Sequence, residues 1–145
     1  MRYGNTHKFD RKAPKNPYGE PLPHLWKAYV ELGPCDYKNL KIEDLVEKVI
    51  FYLHESYGKN KTVRATAAPF AHESYAWGWF DLPAKVYFKK ETGIKKPVQV
   101  EKELCFEGNG NFITFKVSIP KKFLIDKGFM EDEVEDSEMD DISEA

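Results

Sequence analysis

Cysteine is scarce in this sequence, and neither cysteine stands in a pattern that binds metal. Among 145 residues only Cys35 and Cys105 occur, with no Cys-x-x-Cys pair and no histidine at ligand spacing. A zinc site is therefore not expected. Long apolar runs are also missing, since no stretch approaches the roughly 18 residues of a membrane helix and the first residues do not resemble a signal peptide. We expect a protein of a reducing intracellular compartment.

Basic residues are absent from the last part of the chain. Nine acidic residues stand between positions 131 and 144, beyond the last basic residue, Lys127. The remaining 15 acidic residues face 22 lysines and arginines, so residues 1–130 carry a net charge of +7 although the whole chain carries −2. The composition of residues 129–145 predicts a disordered acidic tail, and the folded domain is expected to span residues 1–128.

Aromatic residues are abundant, and their distribution favours an all-β domain. Ten phenylalanines, eight tyrosines and three tryptophans occur, many of them in short runs that end at glycine or proline. Short strands with frequent turns are typical of a sandwich. Strands are expected over residues 25–32, 48–54, 62–66, 80–89, 97–106 and 112–119.

Two further segments need separate interpretation. Residues 3–23 contain Pro14, Pro17, Pro21 and Pro23, which predicts an extended arm lying over the body. The apolar residues of 42–46 recur at helical spacing, but the following Val-Ile-Phe-Tyr is stiff and favours extended backbone. We therefore expect a helical turn over residues 42–46 and a strand from residue 48.

Three stretches, in the same order along the chain, resemble the YEATS family. Residues 24–26 read His-Leu-Trp, residues 49–57 read Val-Ile-Phe-Tyr-Leu-His-Glu-Ser-Tyr, and residues 68–80 carry Pro-Phe followed by Trp-Gly-Trp-Phe. Six residues separate Phe70 from Trp77, which matches the spacing in that family. A rival register would use Tyr75 and Ala76, but it would misplace Phe80. We therefore align Trp77 with the family's aromatic residue.

The resemblance implies an immunoglobulin-like β-sandwich whose end loops hold an acylated lysine. Tyr57 and Trp77 would flank the flat acyl amide, and each aromatic face would contribute about 1 kcal/mol beyond burial. The Ser56 hydroxyl would bond the amide, and His54 would brace the serine loop. A backbone N–H at Trp77 or Gly78 would donate to the acyl oxygen. Unmodified lysine would be rejected because its ammonium loses water without gaining a carboxylate.

Some positions depart from the family pattern or extend the site. Ala76 replaces a usual glycine, Trp79 stands where small or acidic residues are commoner, and Leu22 replaces an aromatic residue that often closes the channel. The preference between acetyl and crotonyl chains is therefore left open. Glu103 matches an acidic residue that meets arginine of the bound peptide. The resulting acyl-lysine site consists of His54, Ser56, Tyr57, Ala76, Trp77, Gly78 and Trp79.

The resemblance favours a reader of acetylated or crotonylated histone tails. Such a protein would be a nuclear subunit of a chromatin-modifying, remodelling or transcription complex, needing no cofactor or metal. His54 and Ser56 lack an orienting acid nearby in sequence, so hydrolysis is not expected. Two alternatives stay open: a nucleic-acid-binding module that uses the basic body, and a scaffold subunit whose pocket has degenerated.

Overall fold

The computed structural model describes residues 1–12, 14–15, 19 and 21–131, and its main elements are eight strands in two antiparallel sheets. One sheet has the order β5-β2-β1-β8 and the other β4-β3-β6-β7. The strands are β1 Arg2–Phe9, β2 His24–Glu31, β3 Val46–Tyr52, β4 Thr62–Ala65, β5 Phe70–Ala76, β6 Asp81–Phe88, β7 Val98–Glu103 and β8 Gly110–Thr114. Two short α-helices, α1 Ile42–Leu45 and α2 Lys121–Asp126, and two 3-10 turns, Glu55–Asn60 and Lys90–Thr92, complete them.

The core lies between the two sheets because alternate residues of each strand point inward. In β6, Leu82, Ala84, Val86 and Phe88 are buried while the residues between them are more exposed. Trp26 of β2 faces them from the other sheet and is 0% exposed. The expected all-β class and the immunoglobulin-like sandwich are thus confirmed. The predicted division of residues 42–54 also holds, with α1 followed directly by β3.

The predicted N-terminal arm is wrong for its first part, which forms a strand inside a sheet. Strand β1 pairs with β2 on one side and β8 on the other. Gly4 is required there, because a Cβ atom at this position would lie 2.6 Å from both the Phe112 Cβ and the Tyr29 hydroxyl. The first part of the predicted arm is polar and contains glycine, which suggested an exposed segment. It is extended because it pairs with two strands of the sheet, and its residues lie in close contact with theirs.

Other elements also differ from the predictions. Residues 70–76 form β5, which was not among the strands predicted from the sequence. Strand β8 covers Gly110–Thr114, so the strand expected over residues 112–119 begins earlier and ends at Thr114. Helix α2 was not predicted from the sequence. Its inner face is buried through Phe123 and Leu124. Among the described residues, no helix is long and apolar enough to span a membrane.

The end of the described chain packs back onto this helix. The Phe129 N–H donates to the Leu124 carbonyl at 2.9 Å, and both Phe129 and Met130 contact the core cluster. The expected domain limit at residue 128 stays a prediction. Residues 132–145 of the acidic tail predicted over residues 129–145 lie outside the described residues.

A buried polar cluster joins the two sheets near the start of β1. Asn5 is 2% exposed; its Oδ1 accepts from the Lys102 Nζ at 2.8 Å and from the Cys105 N–H at 2.9 Å. Its Nδ2 donates to the Cys105 carbonyl at 2.8 Å. Burial lowers the pKa of Lys102, whose Nζ also donates to the Glu103 carbonyl. This cluster fixes the end of β7 against β1.

Candidate functional site

The segment after β3 presents a histidine and a serine on a single short turn. His54 precedes the 3-10 turn, and its Nδ1 accepts from the Ser56 backbone N–H at 3.1 Å. Because that N–H can only donate, Nδ1 carries no proton in this arrangement. The Ser56 Oγ lies 3.0 Å from the same nitrogen and can donate its own hydroxyl proton to it. The serine oxygen then offers its lone pairs to a donor outside the turn.

Tyr57 is held through both its hydroxyl group and its ring. Its hydroxyl donates to the Tyr75 carbonyl at 2.6 Å and accepts from the Trp26 Nε1 at 3.2 Å. Its ring meets Trp26 edge-on at 6.4 Å and Phe80 at 5.8 Å between centroids. Burial raises the pKa of Tyr57, although the hydrogen bonds from Trp26 and Ser74 oppose that shift. This ring is therefore a fixed part of the sandwich end.

The turn between β5 and β6 carries the second group of predicted residues. Trp77 is 67% exposed and Trp79 is 62% exposed, with Gly78 between them. A Cβ atom at Gly78 would meet nothing within 4 Å. Neither the Trp77 nor the Gly78 backbone N–H has a hydrogen-bond partner among the described residues. The turn thus presents two indoles and two free donors to solvent.

Phe80 packs against both the His54 and the Tyr57 rings of the site, a role that was not predicted from the sequence. Its ring centroid lies 5.8 Å from those of His54 and Tyr57, and 5.9 Å from that of Trp26. Trp26 supports the site from beneath in the same way. Phe80 and Trp26 both belong to the motifs that resemble the YEATS family. Their place in those motifs was the signal in the sequence that could have identified them as supporting residues.

The bond between Tyr57 and Tyr75 brings the two loops to the same end of the sandwich. Tyr75 lies two positions before Trp77, and Ala76 between them is buried at the end of β5, where it pairs with His24. The structure does not stack Trp77 on Tyr57, since Trp77 makes no ring contact with any described residue. Tyr57 and Trp77 therefore stand as separate walls.

Two cavities lie beside these walls, on opposite sides of the sandwich. One, of about 520 Å³, is lined by Tyr57 together with His72, Ser74 and Arg64. The other, of about 580 Å³, is lined by Trp79 together with Glu103, the predicted peptide-flank acid. Among the described residues, Tyr57 thus lines one of these cavities, and Trp79 and Glu103 line the other. Leu22 lies just before β2, where its N–H donates to the Pro14 carbonyl at 3.1 Å.

Three rings stack at the neighbouring corner, which the sequence did not indicate. The Nε2 of His7 lies 2.8 Å from the Nδ1 of His24, and both rings stack on Phe106 at 4.8 and 4.5 Å. Burial and the neighbouring His7 lower the pKa of His24. These contacts give both histidines a place in the packing of this corner.

Comparison with known proteins decides the family. The sequence pattern of the YEATS family matches residues 22–108. The chain belongs to the YEATS family. The protein AF-9 homolog of Saccharomyces cerevisiae is 38% identical over 94 residues, which are 64% of this chain and 39% of that relative. Human protein AF-9 is 37% identical over 82 residues, 57% of this chain and 14% of that relative. The chain thus spans well under half of either YEATS relative.

Solved YEATS structures share the fold. The Yaf9 YEATS domain recognizing an H3K122suc peptide is 30% identical with a TM-score of 0.60, and the match covers 85% of this chain and 86% of that one. The Yaf9 YEATS domain bound to H3K27ac is 31% identical with a TM-score of 0.62, covering 77% of each chain. Both are domains of a YEATS relative in contact with acylated histone H3 peptides.

Proposed function

We propose that this chain is a non-catalytic reader that binds acylated lysine on histone tails. The observation that carries the proposal is the hydrogen bond between the Tyr57 hydroxyl and the Tyr75 carbonyl, which sets the His54–Tyr57 turn beside the Trp77-Gly78 turn. The Yaf9 domains, which share this fold, are described with succinylated and acetylated H3 peptides. The same ligand class suits the groups that these two turns expose.

Each exposed group has a role toward a flat, neutral amide. The amide would lie between Tyr57 and Trp77, whose rings are free of one another and stack on its two faces. The Ser56 oxygen would accept the amide N–H, because its own proton is directed to His54. The unpaired N–H of Trp77 or Gly78 would donate to the acyl oxygen. Every polar atom of the ligand amide then gains a partner.

The same contacts disfavour hydrolysis. Among the described residues, His54 hydrogen-bonds only within its own turn, so no carboxylate orients its imidazole as the general base that hydrolysis would need. Ser56 is therefore suited to hold an amide rather than to attack one. Nuclear localisation and membership of a chromatin-modifying or transcription complex are the proposed setting.

A peptide titration tests the proposal. Histone H3 tail peptides carrying lysine, acetyl-lysine, crotonyl-lysine or succinyl-lysine would be titrated by calorimetry into the full chain and into Trp77→Ala, at two salt concentrations. We expect binding of acylated forms only, lost in Trp77→Ala and retained in Phe112→Ala, an exposed aromatic of β8 that serves as control. Binding that does not depend on acylation but weakens steeply with salt would instead favour the nucleic-acid-binding module. No binding at all would favour the scaffold.

A further inference from the structure

Strand β8 is the outer strand of its sheet, and one row of its backbone groups is unpaired. Among the described strands it pairs with β1 alone. Just beyond its end, the Phe115 N–H donates to the Met1 carbonyl at 2.8 Å, so position 115 bonds toward β1. Bonded positions alternate in an antiparallel ladder, so Ile113 bonds to β1 as well. The backbone N–H and C=O groups of Phe112 and Thr114 therefore point away from the sheet.

The side chains of β8 are exposed on both of its faces, and none of them is charged. Ile113 pairs with the buried Tyr3, so it points to the core side, where it is 40% exposed and lines the cavity of about 580 Å³. Phe112, the preceding residue, points to the outer face and is 46% exposed. Thr114 is exposed on that outer face as well. The strand thus offers an uncharged edge with an apolar side chain on either face.

The other outer strands of the two sheets carry charged residues, which discourage pairing with another chain. Strand β4 has Arg64, β5 has Glu73, and β7 has two glutamates and a lysine. No charged residue occurs over residues 108–115, which contain β8. Among the edges of the described sheets, β8 is therefore the one without this protection.

We propose that the β8 edge binds a second copy of this chain, with the two β8 strands antiparallel and Ile113 facing Ile113 of the partner subunit across a twofold axis. Phe112 of each copy would exchange two hydrogen bonds with Thr114 of the partner subunit, which makes four bonds in all. A second copy suits this edge because antiparallel pairing of identical strands matches each row of backbone groups with itself. The whole chain carries a charge of only −2, so two copies repel one another weakly. An uncharged edge gives a basic or an acidic peptide no such match.

This pairing has a consequence for the position of the acyl-lysine sites. Strand β8 begins at Gly110, toward the end of the sheet where β2 begins and β5 ends, and it runs away from the Trp77-Gly78 turn. Antiparallel pairing would therefore place the two sites at opposite ends of the dimer. Such a dimer would hold two separate histone tails. That consequence rests on the proposed reader function, whereas the pairing itself does not.

Sedimentation of the full chain tests the pairing. The dimer should be weak, because one strand edge buries less than about 1,200 Å², so we expect a monomer at about 5 μM and mostly dimer at about 500 μM. Thr114→Pro removes an N–H that faces the partner and leaves the bonds to β1 intact, so it should raise the dissociation constant of the dimer at least about tenfold. Thr114→Ala keeps that N–H and should change the constant less than about threefold. Urea unfolding checks that both variants are folded.

Single cysteines locate the twofold axis without changing the backbone of the edge. In a background of Cys35→Ser and Cys105→Ser, which removes both natural thiols, residues 111–114 would be changed to cysteine one at a time and treated with oxidised glutathione. Ile113→Cys should form the disulfide between copies fastest, because facing residues of a non-bonded pair have Cα atoms about 4.5 Å apart. Asn111→Cys is the control, since the two Cα atoms at that position would lie about 14 Å apart.

Several outcomes would overturn the inference. One is a monomer at every concentration, and another is a dimer as stable in Thr114→Pro as in Thr114→Ala. A disulfide that forms as fast at position 111 as at position 113 would also contradict it. A monomer whose Phe112 and Thr114 amide hydrogens exchange slowly would show that another part of the same chain covers the edge, and would reject the second copy.

The two proposals fail in different ways. A concentration-dependent dimer that is lost in Thr114→Pro, combined with binding that ignores acetylation, would retain the β8 pairing and reject the reader function. Acetylation-dependent binding by a chain that stays monomeric would do the reverse. In Trp77→Ala the dimer should persist while binding of the acetylated peptide is lost.

Discussion

The two aromatic walls of the proposed site differ in how the protein holds them. Tyr57 is fixed by Trp26, Tyr75 and Phe80, whereas Trp77 is 67% exposed and contacts no described ring. We therefore expect one wall to contribute to the stability of the fold and the other to contribute to ligand binding alone. Substitutions at the two positions should separate affinity from stability.

The largest effect is expected for Trp77→Ala. Loss of a stacking face should weaken binding of an acylated peptide at least tenfold, about 1.4 kcal/mol or more. The free energy of unfolding should change by less than about 0.5 kcal/mol, since an exposed side chain that packs against nothing is removed. Calorimetric titration and urea unfolding measure the two quantities. A large loss of stability would show that Trp77 packs as Tyr57 does.

Tyr57→Phe should give the opposite result. It keeps the ring but leaves the Trp26 Nε1 and the Tyr75 carbonyl without their partner, which should lower the free energy of unfolding by about 1–3 kcal/mol. Peptide affinity should fall less than in Trp77→Ala. The matched control is Tyr52→Phe, because the Tyr52 hydroxyl has no hydrogen-bond partner among the described residues. Unchanged stability in Tyr57→Phe would contradict the anchored wall.

Ser56→Ala tests the proposed hydrogen bond between the Ser56 oxygen and the amide N–H of the ligand. It should weaken acyl-peptide binding about fivefold, the value of one hydrogen bond, with little effect on unfolding because Ser56 is exposed. Ser118→Ala, at a different cavity, is the control. If affinity were unchanged, the amide N–H of the ligand would have to bond elsewhere.

The smallest expected effect is a pH dependence of the free energy of unfolding, which arises from His24 on the strand that pairs with β5. The pKa of His24, which pairs with Ala76, is lowered by burial and by His7, so the folded state binds a proton less readily than the unfolded chain. Stability should therefore be complete above about pH 6.5 and fall as the pH drops below it. Burial lowers the pKa of His72 with the same sign. Urea unfolding at pH 7.5 and 5.5 measures this slope, which should be shallower in His24→Asn.

Much of this site was predictable because its residues lie close together in sequence. The turn containing His54 and Ser56 forms locally, and its side-chain bonds span only two residues. The anchoring of Tyr57 was not predictable, since it depends on Tyr75 and Trp26, which the fold brings from distant positions. Strand β1 was missed for a similar reason: Gly4 and Asn5 suit a sheet interior only when Phe112 and Lys102 surround them.

The placement of β1 has a consequence for the order of folding. The first strand lies between β2 and β8, and the Met1 ammonium donates to the Phe115 carbonyl at 2.7 Å across 114 positions. On the ribosome this sheet cannot close until the chain beyond residue 115 has emerged. A fragment cut at residues 22–108, the span of the family match, would lose both β1 and β8. Strand β2 would then be an edge strand with one unpaired side, and the part of the core around Trp26 would be exposed.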